Sequence, residues 1–342
     1  MKKAIVLFNL GGPDSLENVE PFLFNLFNDS AILNLPKFIR YPLAKLISKR
    51  RAPIARKIYQ EIGGSSPILK LTVDQANSLE NLLNTKQNNT KYKVFVAMRC
   101  WHPRASKTIQ DVKNFSPNEI ILLPLYPQYS VVTSGSSLLE WKEIASKNNL
   151  NIITKTICCY PEDKKFIRAH SKLIIEKIKN LKNFKLIFSA HGLPEKNIKK
   201  GDPYQWQIEK SVKRIMDEIN NIGVDYILSY QSRVGPLKWI GPSTEEVIVQ
   251  NSKLNKNLVI VPIAFVSEHS ETLVELDIEY EKLAKSNGCA NYIRIEALGV
   301  NESFIEGLSD LVLNSEDYKL TDSLYPPKNR CPSNFTKCPC LN

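Results

Sequence analysis

No stretch of this 342-residue chain approaches the roughly 20 consecutive apolar residues that a membrane-spanning helix needs. Its apolar runs, such as Lys3 to Leu10 and Leu258 to Val266, are far shorter, which excludes a helical membrane span. A small-residue cleavage pattern is also missing after the basic–apolar start: Gly11-Gly12-Pro13-Asp14 follows, so the opening reads as a first strand and the expected compartment is the cytoplasm. Low-complexity segments and internal repeats are not visible, which argues against fibrous and solenoid architectures. Histidine is scarce, four in all, so its placement carries information. Acid is absent from Lys37 to Lys57, where Lys37, Arg40, Lys45, Lys49, Arg50, Arg51, Arg56 and Lys57 gather.

What is present is an ordinary soluble composition, 43% apolar and 24% charged, which excludes global disorder. The length suggests two domains of roughly 150 residues. The excess of 46 basic over 35 acidic residues gives a net charge of +11 and favours an anionic partner. In a reducing compartment the seven cysteines are not expected to form stable disulfides, so their spacing needs another explanation.

Short β-rich runs (4–8, 93–98, 120–125, 152–157, 186–189, 226–230, 259–266 and 292–297) alternate with helical patterns. That alternation predicts an α/β fold of two Rossmann-like lobes with buried parallel sheets. The expected divisions are 1–150, 151–324 and a cysteine-bearing tail over 325–342, with a cleft between the lobes. Ligands of such sheets sit beyond the carboxyl ends of the strands, and chemistry is sought there.

After the first strand, Gly11-Gly12-Pro13-Asp14-Ser15 fits neither the dinucleotide nor the phosphate-loop spacing and reads as a tight turn with Ser15 capping a helix. After 186–189 comes His191 beside Gly192, placed for a general base or a metal ligand. After 258–266 come Glu268, His269, Glu271, Glu275 and Glu279. In a helix these acids, spaced three, four and four apart, form one stripe. A solvated face is the alternative for Glu275 and Glu279, whereas carboxylates with imidazole at a strand exit suit a borderline cation such as Fe²⁺. In the tail, Cys331, Cys338 and Cys340 lack one donor for a four-thiolate site, which Cys158 or Cys159 offers; zinc and an iron–sulfur cluster are both open on this pattern.

Ordered motifs along nearly the whole chain resemble the ferrochelatase family: Asn9-Leu10-Gly11-Gly12-Pro13, Ile62-Gly63-Gly64-Ser65-Ser66-Pro67, Pro124-Leu125-Tyr126-Pro127-Gln128-Tyr129-Ser130, Ser189-Ala190-His191-Gly192-Leu193-Pro194, Tyr230-Gln231-Ser232-Arg233-Val234-Gly235-Pro236 and Glu268-His269-Ser270-Glu271-Thr272-Leu273. The resemblance implies a lyase that inserts Fe²⁺ into protoporphyrin IX in a cleft between two Rossmann-like lobes. It implies that His191 is the active-site histidine with Glu271 its partner, and that His269 and Glu275 lie on an acidic path. Arg99, Tyr126, Ser130 and Trp239 are implied to line the cleft, and Tyr59, Arg51 and Ser66 to lie near the propionates. His191 as proton acceptor, and His191 with Glu271 as first iron ligands, stay open as alternatives. Iron insertion into coproporphyrin III, Co²⁺ insertion into another tetrapyrrole, and a non-catalytic haem or iron–sulfur binding protein are the competing readings.

The chain departs from animal members of the family at Val131, where they carry a cluster cysteine. Its Cys-x6-Cys-x-Cys tail is similar to a bacterial subset, which implies a [2Fe-2S] cluster on Cys158, Cys331, Cys338 and Cys340, with Cys159 as second choice for the internal ligand. The basic segment after Leu33 corresponds to a lip in the family and implies peripheral contact with an anionic membrane. No pattern reports the oligomeric state, and nothing beyond charge suggests nucleic-acid binding.

Overall fold

In the computed structural model, residues 1–87, 89–219, 223–233, 235–315 and 331–339 are described. They form two lobes: Met1–Cys159 with residues 308–315, and Tyr160–Gly307 with the stretch 331–339.

The first lobe holds strands β1 (Lys2–Asn9), β2 (Lys91–Met98), β3 (Glu119–Pro124) and β4 (Ile153–Thr156), all parallel in the order β2-β1-β3-β4. The second holds β5 (Phe184–His191), β6 (Tyr226–Gln231), β7 (Asn257–Pro262) and β8 (Tyr292–Arg294), all parallel in the order β6-β5-β7-β8. Strand β1 is buried at every position after Lys2, as expected of a parallel strand covered on both faces. Ala4, Val6, Phe8, Ile109, Ile120 and Trp141 form one core of the first lobe, and Ile187, Val247, Leu258, Ile260 and Leu276 form that of the second.

Two expectations are corrected here. Residues 153–156 pair with β3, so the run expected to open the second lobe closes the first sheet, and the lobes divide after Cys159 rather than at 150. The helix after β1 begins at Val19 with Asn18 as its N-cap, and Ser15 does not cap it.

The lobes repeat one backbone scheme that no side-chain pattern announces. Phe8 pairs with Pro124 as Ser189 pairs with Pro262, and the next amides, Leu125 and Ile263, bond back to the Phe8 and Ser189 carbonyls at 2.8 and 3.1 Å. Met98 and Tyr230 at the ends of β2 and β6 donate to the carbonyls of Pro103 and Pro242, each preceded by a cis peptide bond. A π-helix follows the third strand of each sheet, at Val131–Gly135 and at Glu271–Glu279. This register makes Leu10 the counterpart of His191, and Arg99 the counterpart of Gln231.

The acid-free segment forms the helix Lys37–Gln60, which buries a narrow seam of Ala44, Ser48, Ala52 and Tyr59. The rest of its surface mixes the cations with bare apolar groups, Phe38 at 78% and Ile54 at 64% exposure. No helix among the described residues is long and apolar enough to cross a membrane.

Candidate active site

Strand β5 ends on His191, where a parallel strand delivers its last side chain to the loop edge of the sheet. Gly192 follows because the chain is pinched there: a Cβ at this position would stand 2.9 Å from the Gln231 carbonyl and 3.2 Å from the Trp239 ring. The Tyr204 hydroxyl donates to the His191 carbonyl at 3.1 Å. The imidazole is 40% exposed, and its Nδ1 lies 2.8 Å from Glu271 Oε2.

Glu271 opens the π-helix after β7. The sequence spacing predicts an α-helical stripe of acids, and the structure differs: i→i+5 hydrogen bonding widens the helix, a form that recurs at functional sites. Only Glu271 and Glu275 of the stripe meet the histidine region. Glu268 turns instead to Arg294 at 2.5 Å and the Ala297 amide at 2.8 Å, and Glu279 is exposed. His269 Nδ1 accepts the Glu271 backbone N–H at 3.0 Å, which puts its own proton on Nε2, and its ring stands edge-on to Phe265 at 4.5 Å.

Glu275 is held by four donors: Gln231 Nε2 at 3.0 Å, the Ser232 amide at 2.9 Å, the Ser232 hydroxyl at 2.5 Å and the Tyr280 hydroxyl at 2.9 Å. Ser232 reaches both carboxylate oxygens from a left-handed backbone conformation, φ +59°. Gln231, Ser232, Tyr204 and Tyr280 carry no assigned role in the sequence reading. The first two stand inside a quoted motif, whereas nothing local marks the tyrosines.

The electrostatics follow from burial and proximity. Burial pushes the His191 pKa down, but the Glu271 carboxylate, its hydrogen bond and the charge of Glu275 outweigh it, so His191 is raised. Burial pushes Glu271 up, and His191 more than reverses this, so Glu271 is lowered. Glu275 is raised, by burial and then by Glu271. His269 is lowered, chiefly by burial. The result is a carboxylate–imidazole pair beside a half-buried carboxyl whose pKa is shifted in the opposite sense to that of Glu271. Among the described residues no group of three or more His, Cys, Asp or Glu side chains could hold a metal ion.

The other predicted residues fall in the first lobe, except Trp239, which packs over Gly192 beside His191. Arg99 pairs with Asp29 at 3.0 Å and Glu140 at 3.2 Å, and its Nε donates to Ser136 Oγ at 2.7 Å. Arg104 also bonds Glu140. Tyr126 is half-buried, and burial raises its pKa. Ser130 is buried, its hydroxyl accepting the Val132 amide at the start of the π-helix. Tyr59 packs in a cluster with Phe22, Ala52 and Trp101; Ser66 is half-buried, and Arg51 is exposed.

Cys158 and Cys159 are buried with their sulfurs 3.1 Å apart. Strand alternation predicts opposite faces, but β4 ends at Thr156, so the two sulfurs follow a loop and turn together. Cys331 and Cys338 are also buried, and Cys340 lies outside the described residues. The stretch 331–339 is tied down by its chain neighbours: Lys337 donates to the Gly201 carbonyl at 3.1 Å, and Gln207 Nε2 meets Cys331 Sγ at 3.2 Å. A Cβ on Gly201, at φ +91°, would collide with Thr336 at 2.5 Å. Cys100 and Cys289 are buried as well.

Comparison with known proteins gives a consistent picture. Two structures of the chelatase SirB, one from Bacillus subtilis with Fe3+ and one from its subspecies spizizenii with cobalt, align over 92% and 93% of this chain and 96% of each of theirs. Their TM-scores are 0.56 and 0.54 at 12% identity, which establishes a shared fold. The ferrochelatase of Pelagibacter ubique is 68% identical over 342 residues, covering 100% of this chain and 99% of that protein. That of Rickettsia bellii is 50% identical, covering 99% and 95%. A sequence model of the ferrochelatase family matches residues 2–316. With the histidine, the acids and the two parallel sheets carried on a chain this similar throughout, the protein belongs to the ferrochelatase family.

Proposed function

We propose that the protein is a lyase that inserts Fe²⁺ into protoporphyrin IX, two pyrrole N–H protons leaving as the metal enters and protohaem forming. The observation that carries this reading is the 2.8 Å contact between His191 and Glu271, with the half-buried Glu275 one turn further along the same helix. Glu271 accepts the Nδ1 proton of His191, which fixes the tautomer and leaves the Nε2 lone pair for a pyrrole proton. The imidazolium so formed is stabilised by Glu271, and a pKa lifted toward neutrality suits Glu275 to receive and release a proton in turn. His191 as proton acceptor is favoured over His191 and Glu271 as first iron ligands, because the Nδ1 contact leaves a two-donor set. Trp239 and Arg99 are proposed to contact the macrocycle, with Tyr126 and Ser130 beside them; Arg51, Tyr59 and Ser66 are assigned to the propionate side, and His269 to the proton path.

The test is anaerobic incubation with Fe²⁺ and either protoporphyrin IX or coproporphyrin III, followed by absorption. Collapse of the four free-base bands to a haem spectrum with protoporphyrin is expected. A preference for coproporphyrin, or for Co²⁺, moves the substrate assignment, and no turnover with any of them refutes the reading.

A [2Fe-2S] cluster on Cys158, Cys331, Cys338 and Cys340, with Cys159 as alternative, is proposed from the thiol donor set, of which Cys340 lies outside the described residues. Two tail sulfurs are buried, one receives an amide N–H from Gln207, and Ser211, one turn along the same helix, holds the carbonyl of Pro161, two residues after Cys159. Bound there, the cluster supplies a redox-sensitive tie for the tail. Protein reconstituted anaerobically with iron and sulfide should be brown; a colourless protein with stoichiometric zinc defeats this assignment. The exposed apolar and cationic surface of Lys37–Gln60 supports peripheral docking of a cytoplasmic enzyme on anionic lipid. Charge reversal at Lys45, Lys49 and Arg50 should abolish sedimentation with phosphatidylglycerol liposomes.

A further inference from the structure

We infer that Gln231 is a positioning residue for metal insertion: a neutral amide that holds Glu275 and the start of the π-helix beside His191 while bringing no positive charge of its own. The inference rests on the chelatase reading and deepens it. Gln231 ends β6, directly beside His191 in the sheet register, and is buried. Its Nε2 donates to Glu275 Oε2 at 3.0 Å and to the Glu271 backbone carbonyl at 3.3 Å, so one side chain spans the first turn of the π-helix.

The orientation of the amide is fixed from behind. Ser189 Oγ donates to Gln231 Oε1 at 2.7 Å. Ser189 Oγ lies 3.0 Å from Thr244 Oγ1, which lies 3.0 Å from Ser229 Oγ, and all three residues are fully buried. Because the Ser189 proton is committed to Oε1, the 3.0 Å contact between the two hydroxyls is one in which Thr244 donates to Ser189, while Ser229 has the Phe188 carbonyl as its own acceptor at 3.3 Å. The relay from Thr244 through Ser189 therefore runs into the glutamine carbonyl and turns its N–H groups toward the acids. A flipped amide would set its oxygen against a carboxylate and lose both bonds.

The first lobe shows what a charged residue does at this backbone position. There Arg99 draws in Asp29 and Glu140 and closes an ion cluster. The groups facing Glu275 are Glu271, His191, Tyr280, Ser232 and Gln231, and apart from His191 none brings a positive charge. A neutral donor at 231 keeps the acids in place without capturing them.

The test compares Gln231→Leu, Gln231→Glu and Ser189→Ala in the full-length protein, with Fe²⁺ and protoporphyrin. The leucine variant should lose about tenfold or more in kcat with porphyrin KM within about twofold, the signature of a contact that matters after binding. The glutamate variant keeps the shape and the Ser189 bond but replaces the donor, and should fall in the same sense. Ser189→Ala, which frees the amide to turn, should lose about threefold. If the leucine variant does not fold, as a thermal melt will show, the glutamate variant decides. Wild-type kcat in the glutamate variant, or a loss confined to KM, overturns the inference. An inactive parent protein overturns the chelatase reading instead.

Discussion

At the end of the second strand of each sheet stands a side chain that gathers acids: Arg99 in the first lobe and Gln231 in the second. Arg99 meets Asp29, which is 3% exposed, and Glu140, and the charges cancel inside a half-dry cluster. Gln231 meets Glu275 and the Glu271 carbonyl, and no charge is cancelled. One backbone scheme thus supports two electrostatic outcomes. In the first lobe a cation is neutralised by two carboxylates; in the second Glu275 is held by neutral donors, and the imidazole keeps Glu271 for its own partner. Because the scheme is shared, the difference lies in side chains alone, and substitution can separate stability from chemistry.

The sharpest separation should come from His191→Ala, which should cut kcat by about a thousandfold while leaving porphyrin binding intact. The counterpart change in the other lobe, Leu10→Ala, should leave kcat within about threefold in anaerobic turnover; equal losses would erase the contrast. Next in size is Arg99→Met, which takes from Asp29 its Arg99 ion pair, leaves Glu140 to Arg104 alone, and should cost about 3 kcal/mol in urea unfolding. Gln231→Leu should cost about 1 kcal/mol, so a reversal of that order would break the comparison. Smallest at neutral pH is His170, fully buried in the helix Lys164–Ile178 with neither ring nitrogen hydrogen-bonded among the described residues. Burial pushes its pKa down to about 3. Since the unfolded chain takes up this proton near pH 6.5, the stability from a neutral His170 is full above that pH. It is lost on acidification at about 1.4 kcal/mol per pH unit, down toward pH 3. His170→Leu should flatten the fall of melting temperature between pH 6 and pH 4 and change little at pH 8.

Much of this was legible in the sequence. The eight strands among the described residues overlap the apolar runs, most plainly β1, β3, β5 and β7, because a strand buried on both faces has to be apolar almost throughout; the short edge strands β4 and β8 are only partly buried. The placement of His191 and Glu271 at one edge of the second sheet is legible because parallel strands deliver their last residues there. The tail's contacts were not legible: the Gly201–Thr336 and Gln207–Cys331 pairings join residues over a hundred positions apart with no local signature. The π-helix was missed because three- and four-residue spacings read as α-helix, and only the hydrogen bonds reveal the wider turn. The duplication was invisible for a deeper reason. It is written in amide-to-carbonyl bonds that any residue can make, so Phe8 and Ser189, or Arg99 and Gln231, occupy matching places without resembling each other.

The docked stretch 331–339 brings Phe335 against Trp206, ring centres 5.7 Å apart, while the Lys210 ammonium covers the indole at 5.2 Å. That indole is therefore a built-in gauge. Anything that releases the thiol-bearing stretch also bares Trp206 to water and reddens its fluorescence, so the anchoring of the tail can be followed optically without a label.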